Sequence, residues 1–179
     1  MKIITWNVNG IRAALGKGAL DWAFEQKPDA LCLQEIKARP DQLTEEQRTR
    51  DGYHVTWNPA ERPGYSGVAT FASASPLNVE LGLSSPRFDI EGRVIRTRHP
   101  DFTLFNIYFP NGQRGKDRVD YKLDFYARLL EICDELHNTC LPVDAIQPRA
   151  GDPLPGLDAA ARLRFEAGRI SFGQTFDAA

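Results

Sequence analysis

An α/β fold, with a mixed and largely antiparallel sheet covered by helices, is what this 179-residue sequence predicts. Three observations carry the prediction. Short apolar runs bounded by turn residues recur between residues 2 and 108, each of a length suited to a strand. A helical pattern follows the first of these runs, and one long segment, residues 117–137, repeats apolar residues every three or four positions. At 42% hydrophobic residues, the chain also carries enough apolar material for a real core in one domain.

Element by element, the first strand covers residues 2–8 and closes at Gly10. Leu20, Ala23 and Phe24 then recur at helical spacing within residues 18–26, and Lys27-Pro28-Asp29 stops that helix. Ala30-Leu31-Cys32-Leu33 reads as a buried strand. Residues 41–47 are polar and predict a short solvated helix ahead of a strand at 53–57. Further strands are expected at 67–72, 77–81, 93–98 and 102–108, with turns at Ser75-Pro76 and Pro100-Asp101. In the long helix, Val119, Leu123, Tyr126, Leu130, Cys133 and Leu136 form the stripe expected to face the core. Past residue 137 the character changes. Residues 140–179 hold eight alanines, four prolines and four glycines without strand alternation, and only 157–167 reads as helix. The expectation is a domain of residues 1–137 followed by a poorly ordered tail, 138–179.

Polar residues gather where three of these strands end. Trp6-Asn7-Val8-Asn9-Gly10 delivers Asn7 and Asn9 to one face as the chain turns. Leu33-Gln34-Glu35-Ile36-Lys37 brings a carboxylate to the end of the next strand. If the two strands are neighbours, an amide oxygen and a carboxylate converge at one sheet edge, the oxygen-rich setting that Mg2+ prefers. Asn106-Ile107-Tyr108-Phe109-Pro110-Asn111-Gly112 ends a third strand with a tyrosine and an asparagine. Each segment alone also reads as ordinary turn chemistry.

Taken in order, the three motifs resemble the exonuclease III-type abasic-site (AP) endonucleases of the endonuclease/exonuclease/phosphatase superfamily, over residues 1–137. The resemblance implies the N-terminal part of a DNase I-like four-layer α/β sandwich, incomplete in this chain. It implies a DNA repair nuclease, an exodeoxyribonuclease III or AP endonuclease, that uses Mg2+, or Mn2+ in its place. Phosphodiesters of double-stranded DNA would be hydrolysed 5' to abasic sites and at 3' ends. By the same resemblance Asn7 and Glu35 sit at the metal, Tyr108 near the scissile phosphate, and Asn111 and Lys37 in support of the pocket, with Asn9 beside Lys37 among the substrate-binding groups. Arg114 and Lys116, with Arg118, follow the Tyr108 loop and are placed to meet DNA phosphates. A second basic cluster, Arg87, Arg93, Arg96 and Arg98, and the loop Gly64-Tyr65-Ser66-Gly67 suit a solvated surface equally well.

The family's second half supplies a Gly-Asp-x-Asn motif and a Ser-Asp-His motif, and neither is present. His54, His99 and His137 do not follow Ser-Asp, and Gly151-Asp152-Pro153-Leu154 has leucine where asparagine is required. A truncated gene or a frameshift near residue 138 is the expectation. The alternative to a working nuclease is thus a catalytically inactive fragment that binds metal or DNA weakly.

A net charge of −2 and a pI near 5.9 exclude a generally basic coat, so any DNA contact must come from local patches. No Gly-rich loop follows the first strand, against a nucleotide-binding protein, and no organic cofactor is expected. Cys32, Cys133 and Cys140 lack metal-ligand spacing and read as reduced thiols. Neither a leader nor a run of membrane-spanning length is recognisable, so the expected setting is cytoplasmic, without a membrane partner.

Overall fold

Strands that are apolar on both faces must be covered twice, and that requirement organises the chain. In the computed structural model, which describes residues 1–112 and 115–140, β2 (Ala30–Gln34) and β4 (Val68–Ala72) are buried along their whole length. The first sheet runs in the order β1-β2-β4-β3, with β1 at Ile3–Asn7 and β3 at His54–Asn58; β1 and β2 are parallel, and β4 is antiparallel to β2 and β3. The second is an antiparallel meander, β5 (Asn78–Leu81), β6 (Val94–Arg98) and β7 (Thr103–Ile107). The α/β class and the antiparallel character stand. The division into two sheets is what strand patterning alone does not reveal, since a strand between two sheets and one between a sheet and a helix are both continuously apolar.

Alternation along each strand sorts residues into layers. Leu31 and Leu33 of β2 join Ala69 and Phe71 of β4 under Ile11, Leu20, Ala23 and Phe24 of α1 (Ile11–Gly16) and α2 (Ala19–Glu25). Phe24 and Phe71 meet edge to face with ring centroids 5.3 Å apart. On the far side, Val94, Phe105 and Ile107 carry Tyr121, Phe125, Leu129 and Ile132 of α5 (Lys116–Cys140), with Phe88 of α4 (Pro86–Asp89) between them. The inner faces hold mostly small or polar residues, Ala30, Cys32, Thr70 and Asn106, with Leu104 beside them. Helix, sheet, sheet and helix therefore stack as four layers.

The junction between the sheets is stitched by amides. Asn106 Nδ2 donates to the Ala69 carbonyl at 2.8 Å and to Thr70 Oγ1 at 3.0 Å, and Gln34 Nε2 donates to Asn106 Oδ1 at 2.7 Å and to Thr5 Oγ1 at 3.0 Å. Buried polar groups persist when they are paired. Gln34 Oε1 is buried without a hydrogen-bond partner among the described residues.

Two local expectations are corrected. Residues 11–16, not anticipated as an element, form α1; its single turn and a half between Gly10 and Gly16 is too short for a periodicity signal, and burial of Ile11 and Ala14 holds it. The stripe expected on α5 is also only half right, being rotated from the buried face. Val119, Leu123 and Leu130 are 40%, 57% and 48% exposed, while Tyr121, Phe125, Leu129 and Ile132 are buried; Tyr126, Cys133 and Leu136 flank the buried face. Both sets satisfy a three-and-four spacing, offset by about a third of a turn, and the aromatic pair Tyr121 and Phe125 wins because it buries more surface against Phe88. Leu123→Glu is accordingly expected to change unfolding free energy by less than about 0.5 kcal/mol in urea titrations. The polar segment at 41–47 forms a 3₁₀ turn, Pro40–Gln42, and α3 (Glu45–Arg48), whose Thr44 cap accepts from the Gln47 amide. The tail, Asp152 and the helix expected at 157–167 lie outside the described residues. Among those described, no helix is long and apolar enough to cross a membrane.

One glycine governs how the second sheet meets the first. Gly92, before β6, has φ +58°, and a Cβ there would stand 2.4 Å from the Pro59 carbonyl carbon. Backbone is all it would meet, so no side chain can yield. Gly92→Ala should cost roughly 1–3 kcal/mol in chemical denaturation.

Candidate active site

The ends of β1 and β2 and the start of β4 are laced by backbone bonds beyond the strands themselves. Gly10 N donates to the Glu35 carbonyl at 2.8 Å, Ile11 N to Ile36 at 2.9 Å, and Lys37 N to Ser66 at 2.9 Å. Asn9, Glu35, Lys37 and Ser66 all take positive φ, a costly choice for side-chain-bearing residues. Four such residues in three touching loops mark a place where backbone strain is retained.

The strained loops bring the expected residues together. Glu35 Oε1 accepts from Asn7 Nδ2 at 3.0 Å, and Glu35 Oε2 faces Lys37 Nζ at 2.8 Å. Asn9 Oδ1 accepts from the same ammonium, and the Asn9 amide donates to Asn7 Oδ1 at 3.0 Å. Tyr108, one residue beyond β7, places its hydroxyl beside Glu35, close enough to influence that carboxylate's ionisation. Burial pushes the Glu35 carboxyl up, but hydrogen bonds from Lys37, Tyr108 and Asn7, with the charge of Lys37, outweigh it and hold the group below its ordinary value. It is ionised at neutral pH. Burial, the bond to Glu35 and that carboxylate's charge all raise Tyr108, which stays a protonated donor.

Glu35, Lys37 and Tyr108 open into a cleft of about 720 Å³ lined also by Tyr65 and Asn111, whereas Asn7 and Asn9 reach it only through Glu35 and Lys37. Arg93 and Arg118 form its wall. Both reach Tyr65 Oη, at 3.0 and 3.1 Å, and both are held by Glu91. Two arginines from the separate basic clusters thus converge, while Arg87 is drawn off by Asp124 and Arg96 by Glu80. Lys116 is not brought in: it is absent from the cleft lining, and its ammonium sits 2.7 Å from Asp120, one helical turn on. Arg114 lies outside the described residues. Sequence reasoning missed Glu91 altogether. Its only signal is the Glu91-Gly92-Arg93 triplet, a carboxylate and a guanidinium on either side of a glycine turn.

Glu91 is also a carboxylate held below its ordinary value: burial raises it, and the bonds and charges of Arg118 and Arg93 more than reverse that. A depressed folded-state pKa contributes stability that is full above the unfolded carboxylate value, about 4.3, and lost as pH falls through the folded value. Melting temperature should therefore drop on acidification below about pH 4, and drop less steeply in Glu91→Gln.

Whether a divalent cation suits this donor set is a question of chemistry. Glu35 supplies hard carboxylate oxygens and Asn7 an amide oxygen with a second lone pair. Mg2+ keeps several waters and takes one or two carboxylates together with substrate phosphates. The set fits such a thinly held ion. It does not fit a fully enclosed one, because no three His, Cys, Asp or Glu side chains gather among the described residues.

Comparison with known proteins agrees with this geometry. The model of the Endonuclease/Exonuclease/phosphatase family matches residues 4–169. The chain is 37% identical to the DNA repair nuclease APEX1 of Danio rerio, over 92% of this chain and 58% of that protein. It is 34% identical to an exodeoxyribonuclease of Bacillus subtilis, over 92% of this chain and 69% of that one. Among solved structures, the catalytic domain of Xenopus laevis APE2 superposes with a TM-score of 0.68 at 32% identity, covering 78% of this chain and 55% of that chain. An AP endonuclease from Archaeoglobus fulgidus gives 0.66 at 34%, covering 75% and 51%. A Neisseria 3' phosphatase, NExo, bound to a product DNA hairpin gives 0.64 at 30%, covering 76% and 53%. The chain spans about half the length of these solved relatives. A family match over residues 4–169, with relatives more than 30% identical over 92% of the chain, makes this chain a member of the Endonuclease/Exonuclease/phosphatase family, similar within it to AP endonucleases and exodeoxyribonucleases.

Proposed function

We propose that the chain acts on double-stranded DNA as a Mg2+-dependent repair nuclease of the AP endonuclease and exodeoxyribonuclease type, cutting 5' to abasic sites and at 3' ends. The observation that carries this reading is the meeting of Glu35, Lys37 and Tyr108 at the mouth of one cleft, with Asn7 bonded to Glu35 from the end of a third strand. Asn7 and Glu35 would hold the cation, with Mn2+ as a substitute of the same donor preference. Bound there, Mg2+ supplies charge that polarises the phosphate and offsets the charge growing on the leaving 3'-oxygen. Lys37 keeps Glu35 ionised, and Asn9 keeps Lys37 in place. Tyr108, whose hydroxyl would be released from Glu35 once that carboxylate turned to the cation, and Asn111 would offer hydrogen-bond donors to phosphate oxygens, and the Arg93 and Arg118 wall adds the local positive charge that the chain as a whole lacks.

Water activation is the weak step. Glu35 would be committed to the cation and Glu91 is committed to two guanidiniums, Glu61 at the cleft edge is exposed to solvent, and the described lining of the cleft holds no histidine or aspartate. Lack of a positioned base costs roughly 10²–10⁴ in rate, so slow turnover is expected. That same lining favours a second reading, a chain that binds metal or DNA without cutting. A duplex with one abasic site, incubated with the purified chain in Mg2+ or in EDTA, separates the two. Mg2+-dependent incision supports the nuclease; binding without incision supports the second reading.

A further inference from the structure

Glu91 lies outside the residues proposed to meet the cation, yet it holds two guanidiniums by three hydrogen bonds. Its Oε1 accepts from Arg118 Nη1 at 2.9 Å, and its Oε2 accepts from Arg118 Nη2 at 2.9 Å and from Arg93 Nε. Arg118 is thereby gripped as a two-pronged fork, the strongest arrangement open to a guanidinium and a carboxylate. Arg93, 2% exposed, spends its remaining nitrogens elsewhere: Nη1 donates to the Tyr108 carbonyl at 2.9 Å and Nη2 to Tyr65 Oη at 3.0 Å. Its guanidinium lies over the Tyr108 ring, 4.7 Å from the centroid, and the Tyr108 amide donates to the Arg93 carbonyl at 2.9 Å. Tyr108 is thus held by Arg93 at its amide, its carbonyl and its ring. Four segments meet here: the turn before β6, the loop before β4, the end of β7 and the first turns of α5.

We propose that Glu91 is a positioning residue for Tyr108, acting through Arg93, and that it orients Tyr65 through Arg93 and Arg118 together. This rests on the nuclease reading only for its kinetic consequence. The physical case is one of geometry. A buried guanidinium with no carboxylate would turn toward solvent or toward a phosphate in the cleft, releasing the Tyr108 carbonyl. With Glu91 in place, both arginines donate to Tyr65 Oη, which uses both acceptor sites of that oxygen and leaves its O–H free to donate only. Tyr65 lines the cleft, so its hydroxyl is a preset donor toward an anionic oxygen there.

The test uses the full chain labelled with 3-fluorotyrosine, whose five tyrosines give separate fluorine NMR signals; Tyr108→Phe and Tyr65→Phe assign two of them. In Glu91→Gln, the Tyr108 and Tyr65 signals should shift or broaden while those of Tyr53 and Tyr126 stay in place, which a general loss of structure would not produce. Where the chain cuts abasic-site DNA, kcat should fall roughly tenfold to a hundredfold with KM changed less than about twofold, the signature of a misplaced group. Arg93→Lys, which keeps the charge but cannot reach Glu91, the Tyr108 carbonyl and Tyr65 Oη at once, is read in the same way and decides the matter if Glu91→Gln does not fold. Unmoved Tyr108 and Tyr65 signals in either folded variant would overturn the proposal, as would a loss confined to KM. An unlabelled parent chain that fails to cut DNA defeats the nuclease reading alone, because the fluorine spectra need no turnover.

Discussion

Replacing Glu35 by alanine is expected to reduce Mg2+-dependent incision of an abasic-site duplex by about a hundredfold or more, to the level seen in EDTA, while the chain remains folded. Among the described residues, Glu35 is the only carboxylate at the point where β1, β2 and β7 deliver side chains, and its neighbours are Asn7, Lys37 and Tyr108. Without it, Asn7 offers one amide oxygen, too little to compete with water for Mg2+, and the Lys37 ammonium takes the position that the cation's charge would occupy. The structural cost is small because Lys37 retains Asn9 and is a third exposed; loss of these bonds should amount to about 1 kcal/mol, or a few degrees in melting temperature. Glu35→Gln separates charge from shape: it can still accept from Asn7 but offers no anionic oxygen, so it should also be inactive. Full incision by a clean Glu35→Ala preparation, with dependence on Mg2+ retained, would remove Glu35 from the cation site.

Much of this centre is legible in the sequence because strand ends are legible. Asn7, Glu35 and Tyr108 each follow an apolar run by one or two residues, and a chain that leaves a sheet must expose whatever comes next. What joins them is not local. That β1 lies beside β2 with Asn7 opposite Gln34, and that β7 packs across β2 and β4 through Asn106, depends on pairings between residues as many as 73 positions apart. Glu91 was hidden for a related reason: a carboxylate two residues before an arginine looks like surface charge until Arg118 arrives from another element. Lys116 shows the opposite failure. Proximity in sequence to Tyr108 suggested a phosphate contact, but the start of α5 offers Asp120 at i+4, and the local pair forms instead. The α5 stripe failed because a long helix with apolar residues on two faces carries two valid periodicities, and only the partner surface chooses between them.

That partner surface sets the second large expectation. Phe125→Ala should lower stability by about 3–5 kcal/mol and the melting temperature by roughly 10 °C or more. The Phe125 ring is fully buried and meets Phe88 at 5.5 Å and Phe109 at 6.2 Å, both edge to face. Truncation would leave a void walled by α4, α5 and the segment after β7, three pieces with no strand bonds between them that could draw the gap closed. For a domain with a typical reserve of about 5–15 kcal/mol, such a loss is a large part of the total. The consequence also reaches the cleft: Phe109 follows Tyr108 in the chain, and α5 carries Arg118, so loosening Phe125 frees the tyrosine and one of the two guanidiniums from the same side. Leu123→Ala, on the exposed face of the same helix, is the matched control. If calorimetry finds the two substitutions equally costly, α5 packs by a different face and the wall of the cleft is built differently from the one described.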